Sequence, residues 1–104
     1  MQQQGQQYQR NYERFPLGSQ AIIDTEKIHG ILSIVADLSS RGAGIISTVP
    51  FDPGENITIT INRCFLFSEP IRRKAKVVWS KHIEQNLWQT GVDFGVDNLI
   101  DFAS

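Results

Sequence analysis

Two arginines and a short polar turn carry the groups in this chain best suited to chemistry. Arg10 and Arg14 form R-x-x-x-R ahead of the first strand-like segment, and Asp37, Ser39 and Gly42 form D-x-S-x-x-G at the end of an apolar one. An arginine fork matches phosphate oxygens, and the O6/N7 edge of guanine, with two parallel hydrogen bonds. A carboxylate accepts from the N–H donors of guanine, a hydroxyl can donate or accept, and a glycine lets backbone approach closely. Together these are the groups that a guanine nucleotide with its phosphates requires.

The elements around the two motifs are strand-like. Six candidate strands span residues 18–28, 30–38, 43–48, 56–62, 71–82 and 87–94, with turn residues between them at regular spacing. That pattern predicts an all-β antiparallel barrel or sandwich. In the second segment, period-two alternation places Leu32, Ile34 and Ala36 on one face, and Ser33 and Asp37 on the other, so Asp37 is expected to point outward. Ile57, Ile59 and Ile61 share an inward face, and Pro53-Gly54 reads as the turn before them. Ala75, Val77 and Trp79 share a face, as do Trp88, Thr90, Val92 and Phe94. Asp97 is placed to cap a short C-terminal helix reaching Phe102. Residues 1–9 are glutamine-rich and nearly without apolar side chains, which predicts a mobile tract. The expected division is a flexible N-terminal segment, 1–17, carrying R-x-x-x-R, and a barrel domain, 18–104.

Bulk properties narrow the function classes. The 104 residues suit one domain with one core, and 40% apolar content is enough to form it. A net charge of −1 argues against binding long nucleic acid, which calls for a basic face. Cys64 is the one cysteine and His29 and His82 the two histidines, so neither an intrachain disulfide nor a closely spaced metal cluster is expected. The N-terminus has neither a basic n-region nor an apolar h-region, and no apolar run has the length of a membrane span, so the expected compartment is the cytoplasm. No hydrolase triad spacing, phosphate-binding G-x-x-x-x-G-K-[ST] loop or zinc signature is present, and Cys64 sits in an apolar run that favours an inert thiol. An enzyme is not expected, nor a cofactor other than the nucleotide as ligand.

R-x-x-x-R followed by D-x-S-x-x-G, then Val77-Val78-Trp79 and Gly91-Val92-Asp93-Phe94, resembles the PilZ domain, a bacterial receptor module for cyclic di-GMP. The likeness runs from about residue 10 to residue 94. It implies a six-stranded antiparallel barrel in which Arg10 and Arg14 grip guanine and phosphate from the lead-in. Asp37 and Ser39 would hold the guanine edge from the barrel exterior, and Gly42 would contribute through its backbone. Ordering of the lead-in would then change the surface shown to an effector protein of motility, biofilm or polysaccharide-export machinery. Gln9, where some relatives carry a further arginine, tilts the resemblance toward one ligand per chain. The alternative within the family is an adaptor that binds protein without nucleotide; such relatives usually lack one of the two motifs, and this chain has both.

Asp37 and Ser39 also suit an Asx or Ser turn between two strands, which could still orient both side chains outward, and Gly42 and Gly44 suit a turn or bulge. Three further features have two readings each. Arg41 either adds a phosphate contact or solvates the turn. Trp79 either stacks on a base, as aromatic platforms do, or packs with Ala75 and Val77 in the core. The basic run Arg72, Arg73, Lys74 and Lys76 either guards a sheet edge against pairing or meets a phosphate or a partner.

Overall fold

The structure, a computed structural model, describes residues 14–101. Arg10, the expected mobile tract and Phe102 lie outside the described residues. Six strands follow in chain order: β1 (Phe15–Asp24), β2 (Ile31–Leu38), β3 (Gly42–Ser47), β4 (Asn56–Ile61), β5 (Ile71–Glu84) and β6 (Leu87–Asp93). All neighbours are antiparallel, and the strands close into a barrel in the order β1-β2-β3-β6-β5-β4. The expected all-β, six-stranded antiparallel barrel is therefore the observed one. β1 begins earlier than residue 18, taking in Phe15, Pro16 and Leu17, and stops at Asp24 rather than residue 28. Its early part pairs only with β2, and a register shift falls between Pro16 and Ser19, where Gly18 has φ +70. Positive φ at a bulge favours glycine, which has no Cβ to clash.

The core comes from alternate residues of every strand. Ile57, Ile59 and Ile61 point inward as their spacing requires, against Ile23, Val35, Ile45, Val77 and Val92. Burying each such aliphatic side chain stabilises the fold by about 1.5–3 kcal/mol. Phe94 and Ile100 close one part of this core from beyond β6.

β2 departs from the expected alternation. Ser33 and Val35 face inward, whereas Leu32 is 73% and Ile34 44% exposed. Val35 and Leu38 are both fully buried although they stand an odd number of residues apart. An unbroken strand cannot send both inward. A register shift between Val35 and Asp37 resolves the conflict by giving β2 one extra residue, Ala36, against β3. Before the bulge the expected faces are inverted; after it Asp37 points out, as expected, but for a different reason.

The helix expected from Asp97 is a single 3-10 turn, Val96–Asn98, with Gly95 at its N-cap position and no side-chain cap. Leu99 is already extended, and Ile100 turns inward with its N–H donating to the Ser40 carbonyl at 2.9 Å. Docking of Ile100 into the core ends the turn before an α-helix can propagate. No helix among the described residues is long and apolar enough to cross a membrane.

Candidate functional site

The D-x-S-x-x-G segment forms the tight connection from β2 to β3. Ser39 is only 2% exposed, and its hydroxyl is absorbed by the turn. Ser39 Oγ accepts the N–H groups of Arg41 (3.2 Å) and Gly42 (3.1 Å) and donates to the Gly42 carbonyl (3.3 Å), while the Ser39 N–H bonds that same carbonyl at 2.9 Å. This corrects the expectation that Ser39 is presented outward beside Asp37: the hydroxyl compensates backbone groups that the turn would otherwise leave unpaired. Gly42 has a comparable structural duty. A Cβ there would run into the backbone carbonyl of Val92, with the carbonyl carbon at 3.3 Å, so the close approach of β3 to β6 requires glycine.

Asp37 does face outward. Phe15 and Pro16 of β1 pair with Leu38 and Asp37 of β2, so the residue just before β1, Arg14, falls beside the carboxylate. The Arg14 guanidinium donates to Asp37 Oδ1 in an ion pair whose two side chains remain partly exposed. The link from R-x-x-x-R to D-x-S-x-x-G is therefore made by Arg14 through strand register; Arg10 lies outside the described residues.

From Asp37 a strip with two glycines at its centre runs across the strands. Asp37 pairs with Gly44, Gly44 with Gly91, and Gly91 with Trp79, joining β2, β3, β6 and β5 in one transverse row. At about 4.7–4.9 Å per strand, the row is about 14 Å wide. The carboxylate of Asp37 leans over Gly44: a Cβ there would sit 3.0 and 3.1 Å from its two oxygens. The indole of Trp79 lies over Gly91, where a Cβ would come within 2.5 Å of Cε2 and 2.8 Å of Cζ2. A third register shift, between Val77 and Trp79, turns the tryptophan out of the core. Trp79 is consequently 43% exposed and does not share the buried face of Ala75 and Val77, which corrects that alternation. The result is a row in which a carboxylate with its arginine lies over Gly44 at one end and an aromatic ring lies over Gly91 at the other.

Two residues along the strands, Gly42 pairs with Asp93 and Asp93 with Lys76. Arg41 Nε donates to Asp93 Oδ1 at 3.3 Å; the same oxygen accepts the Gly95 N–H at 2.7 Å, and the Arg41 carbonyl accepts the Phe94 N–H at 2.7 Å. The turn and the Gly91-to-Phe94 segment are thereby locked together. Arg41, at the mouth of the strip, neither floats in solvent nor enters the core. Sequence reading did not single out Gly44, Gly91 and Asp93 as site residues. Their signals were present: Gly42 and Gly44 at alternate positions put two glycines on one face of a strand, and Gly91 precedes a valine with core spacing.

No curated protein matches the sequence. The family model described as PilZ domain matches residues 8–101. The match spans nearly the whole chain, and the chain belongs to the PilZ domain family.

Proposed function

On the premise that the chain is a PilZ domain, a family of cyclic di-GMP receptors and effectors, we propose that it binds cyclic di-GMP on the strip between Asp37 and Trp79. The observation that carries this reading is the placement of the Arg14–Asp37 pair at one end of this row with the Trp79 ring at the other. A guanine edge presents acceptors at O6 and N7 beside donors at N1 and N2. An arginine and a carboxylate held side by side offer the complementary set. Glycines at 44 and 91 let the Asp37 carboxylate and the Trp79 ring lie close on the sheet, and the half-exposed indole offers a stacking face.

In this reading Arg14 and Arg10 take guanine and phosphate, and Asp37 takes the guanine N–H donors. Arg41 adds a phosphate contact by exchanging part of its bond to Asp93. Ser39 and Gly42 act through the shape of the turn. Binding fixes the segment that carries both arginines against the barrel, and the altered surface is what an effector protein reads. The protein is thus a receptor without catalytic chemistry, acting in second-messenger control of processes such as motility or biofilm formation.

Calorimetric titration of the full chain with cyclic di-GMP and with cyclic di-AMP tests the proposal. Adenine carries a donor where guanine has O6, so the arginine fork would face a donor. Tight binding of the guanine dinucleotide and weak or absent binding of the adenine one is the expected result. Equal affinities would overturn the guanine-edge assignment, and no heat with either would leave a nucleotide-independent adaptor.

A further inference from the structure

A second feature of the exterior adjoins the strip at the Arg41–Asp93 pair. Arg72, Lys74 and Lys76 occupy alternate outward positions of β5, and none makes an ion pair among the described residues. The edge-guard reading does not account for them, because β5 lies between β6 and β4 in the closed order. Each stands opposite a short neutral residue of β4: Arg72 opposite Thr60, Lys74 opposite Thr58, Lys76 opposite Asn56. The cations line a groove of about 890 Å³ that runs from the β1–β2 connection to the Arg41–Asp93 pair.

Of the groove's three carboxylates, Glu26 is exposed, and the other two have partners where they stand. Asp24 accepts the Gly30 N–H at 2.8 Å and faces His29 Nδ1 at 3.6 Å, and Asp93 is held by Arg41 and the Gly95 N–H. Arg72, Lys74 and Lys76 have no such partners among the described residues, so β5 presents a line of positive charge along the groove, on a chain whose net charge is −1. Residues two apart on a strand repeat at about 6.6–6.8 Å, which is also the repeat of same-side side chains in any extended peptide.

We infer that this groove docks an extended acidic segment of a partner protein, one with carboxylates at alternate positions that meet Arg72, Lys74 and Lys76 in turn. Thr58 and Asn56 supply neutral hydrogen-bonding groups beside the cations. An extended peptide can follow the line of cations on β5, whereas a bilayer or a nucleic-acid duplex would span the carboxylates Asp24 and Glu26 of the same groove as well. Single-stranded nucleic acid calls for exposed aromatic rings; the aromatic residue lining the groove, Phe94, is buried. The inference does not depend on the dinucleotide reading, since none of the three cations belongs to the proposed nucleotide site.

Fluorescence anisotropy at low salt, with the full chain and a labelled short peptide of alternating glutamate and threonine, tests it. The peptide is expected to bind, with affinity falling as salt rises, while its glutamine counterpart does not. Lys74→Glu should weaken binding at least about tenfold without changing the melting temperature, because the side chain is exposed. Equal binding of the glutamate and glutamine peptides, or insensitivity to Lys74→Glu with the fold intact, would overturn the inference. Tighter binding of oligothymidylate or of phosphatidylglycerol vesicles through the same lysine would also overturn it, in favour of a nucleic acid or a membrane. These outcomes are independent of cyclic di-GMP affinity, so this inference and the dinucleotide reading can fail separately.

Discussion

Gly91→Ala separates the aromatic end of the strip from the stability of the barrel. Gly91 has strand geometry without positive φ, so alanine meets no backbone strain there, and replacing an in-strand glycine favours folding by about 0.5–1 kcal/mol. The obstacle is the indole: the new methyl would stand 2.5 Å from Trp79 Cε2, where ordinary contact begins near 3.5 Å, so the ring must shift by about 1 Å or swing away. Trp79 is 43% exposed and has solvent to move into, which keeps the net change in stability within about 1 kcal/mol. If the ring stacks on a guanine, its displacement forfeits much of a contribution of about 1–3 kcal/mol. The loss corresponds to roughly five- to 150-fold in affinity. The assay is titration with cyclic di-GMP alongside tryptophan emission in a Trp88→Phe background, since Trp88 packs separately on His82 with ring centroids 5.0 Å apart. Weaker binding, a red-shifted emission and a nearly unchanged melting temperature are expected. A shifted emission with affinity unchanged within about twofold would refute the stacking role, and an unchanged emission would refute the placement of the indole over Gly91.

Arg14→Ala should weaken cyclic di-GMP binding by roughly tenfold to a hundredfold, from a charge-assisted bond of about 1.5–3 kcal/mol; thermal melting should show little change because the Arg14–Asp37 pair is exposed. Gly42→Ala should act on the fold instead, destabilising it by about 1–3 kcal/mol in urea denaturation as the added Cβ meets the Val92 backbone. Ser39→Ala removes the shared partner of the Arg41 and Gly42 N–H groups, for a loss of about 1–3 kcal/mol. Titrated with cyclic di-GMP below its melting transition, that variant should bind less weakened than Arg14→Ala; the reverse order would mean that the hydroxyl meets the ligand directly.

Much of the architecture was legible in the residues because it rests on local rules. Ile57, Ile59 and Ile61 could share one face only in a strand, and Pro53-Gly54 supplied the turn before them. The two polar motifs could be recognised from residue type and spacing alone. Two matters were decided by tertiary structure, and a third by the turn itself. The burial of Val35 and Leu38, an odd number of residues apart, forced the bulge that inverted the expected faces of β2 and still set Asp37 outward. The bulge after Val77 took Trp79 from the expected inward face to the exterior strip. Ser39, chemically able to meet a ligand, was claimed by backbone groups of its own turn. Alternation along a strand depends on nearest neighbours and is written in the sequence. The fate of the Ser39 hydroxyl is set by donors two and three residues on in its own turn. The position of a bulge depends on which side chains the closed barrel can bury together, and that is settled only when distant strands meet.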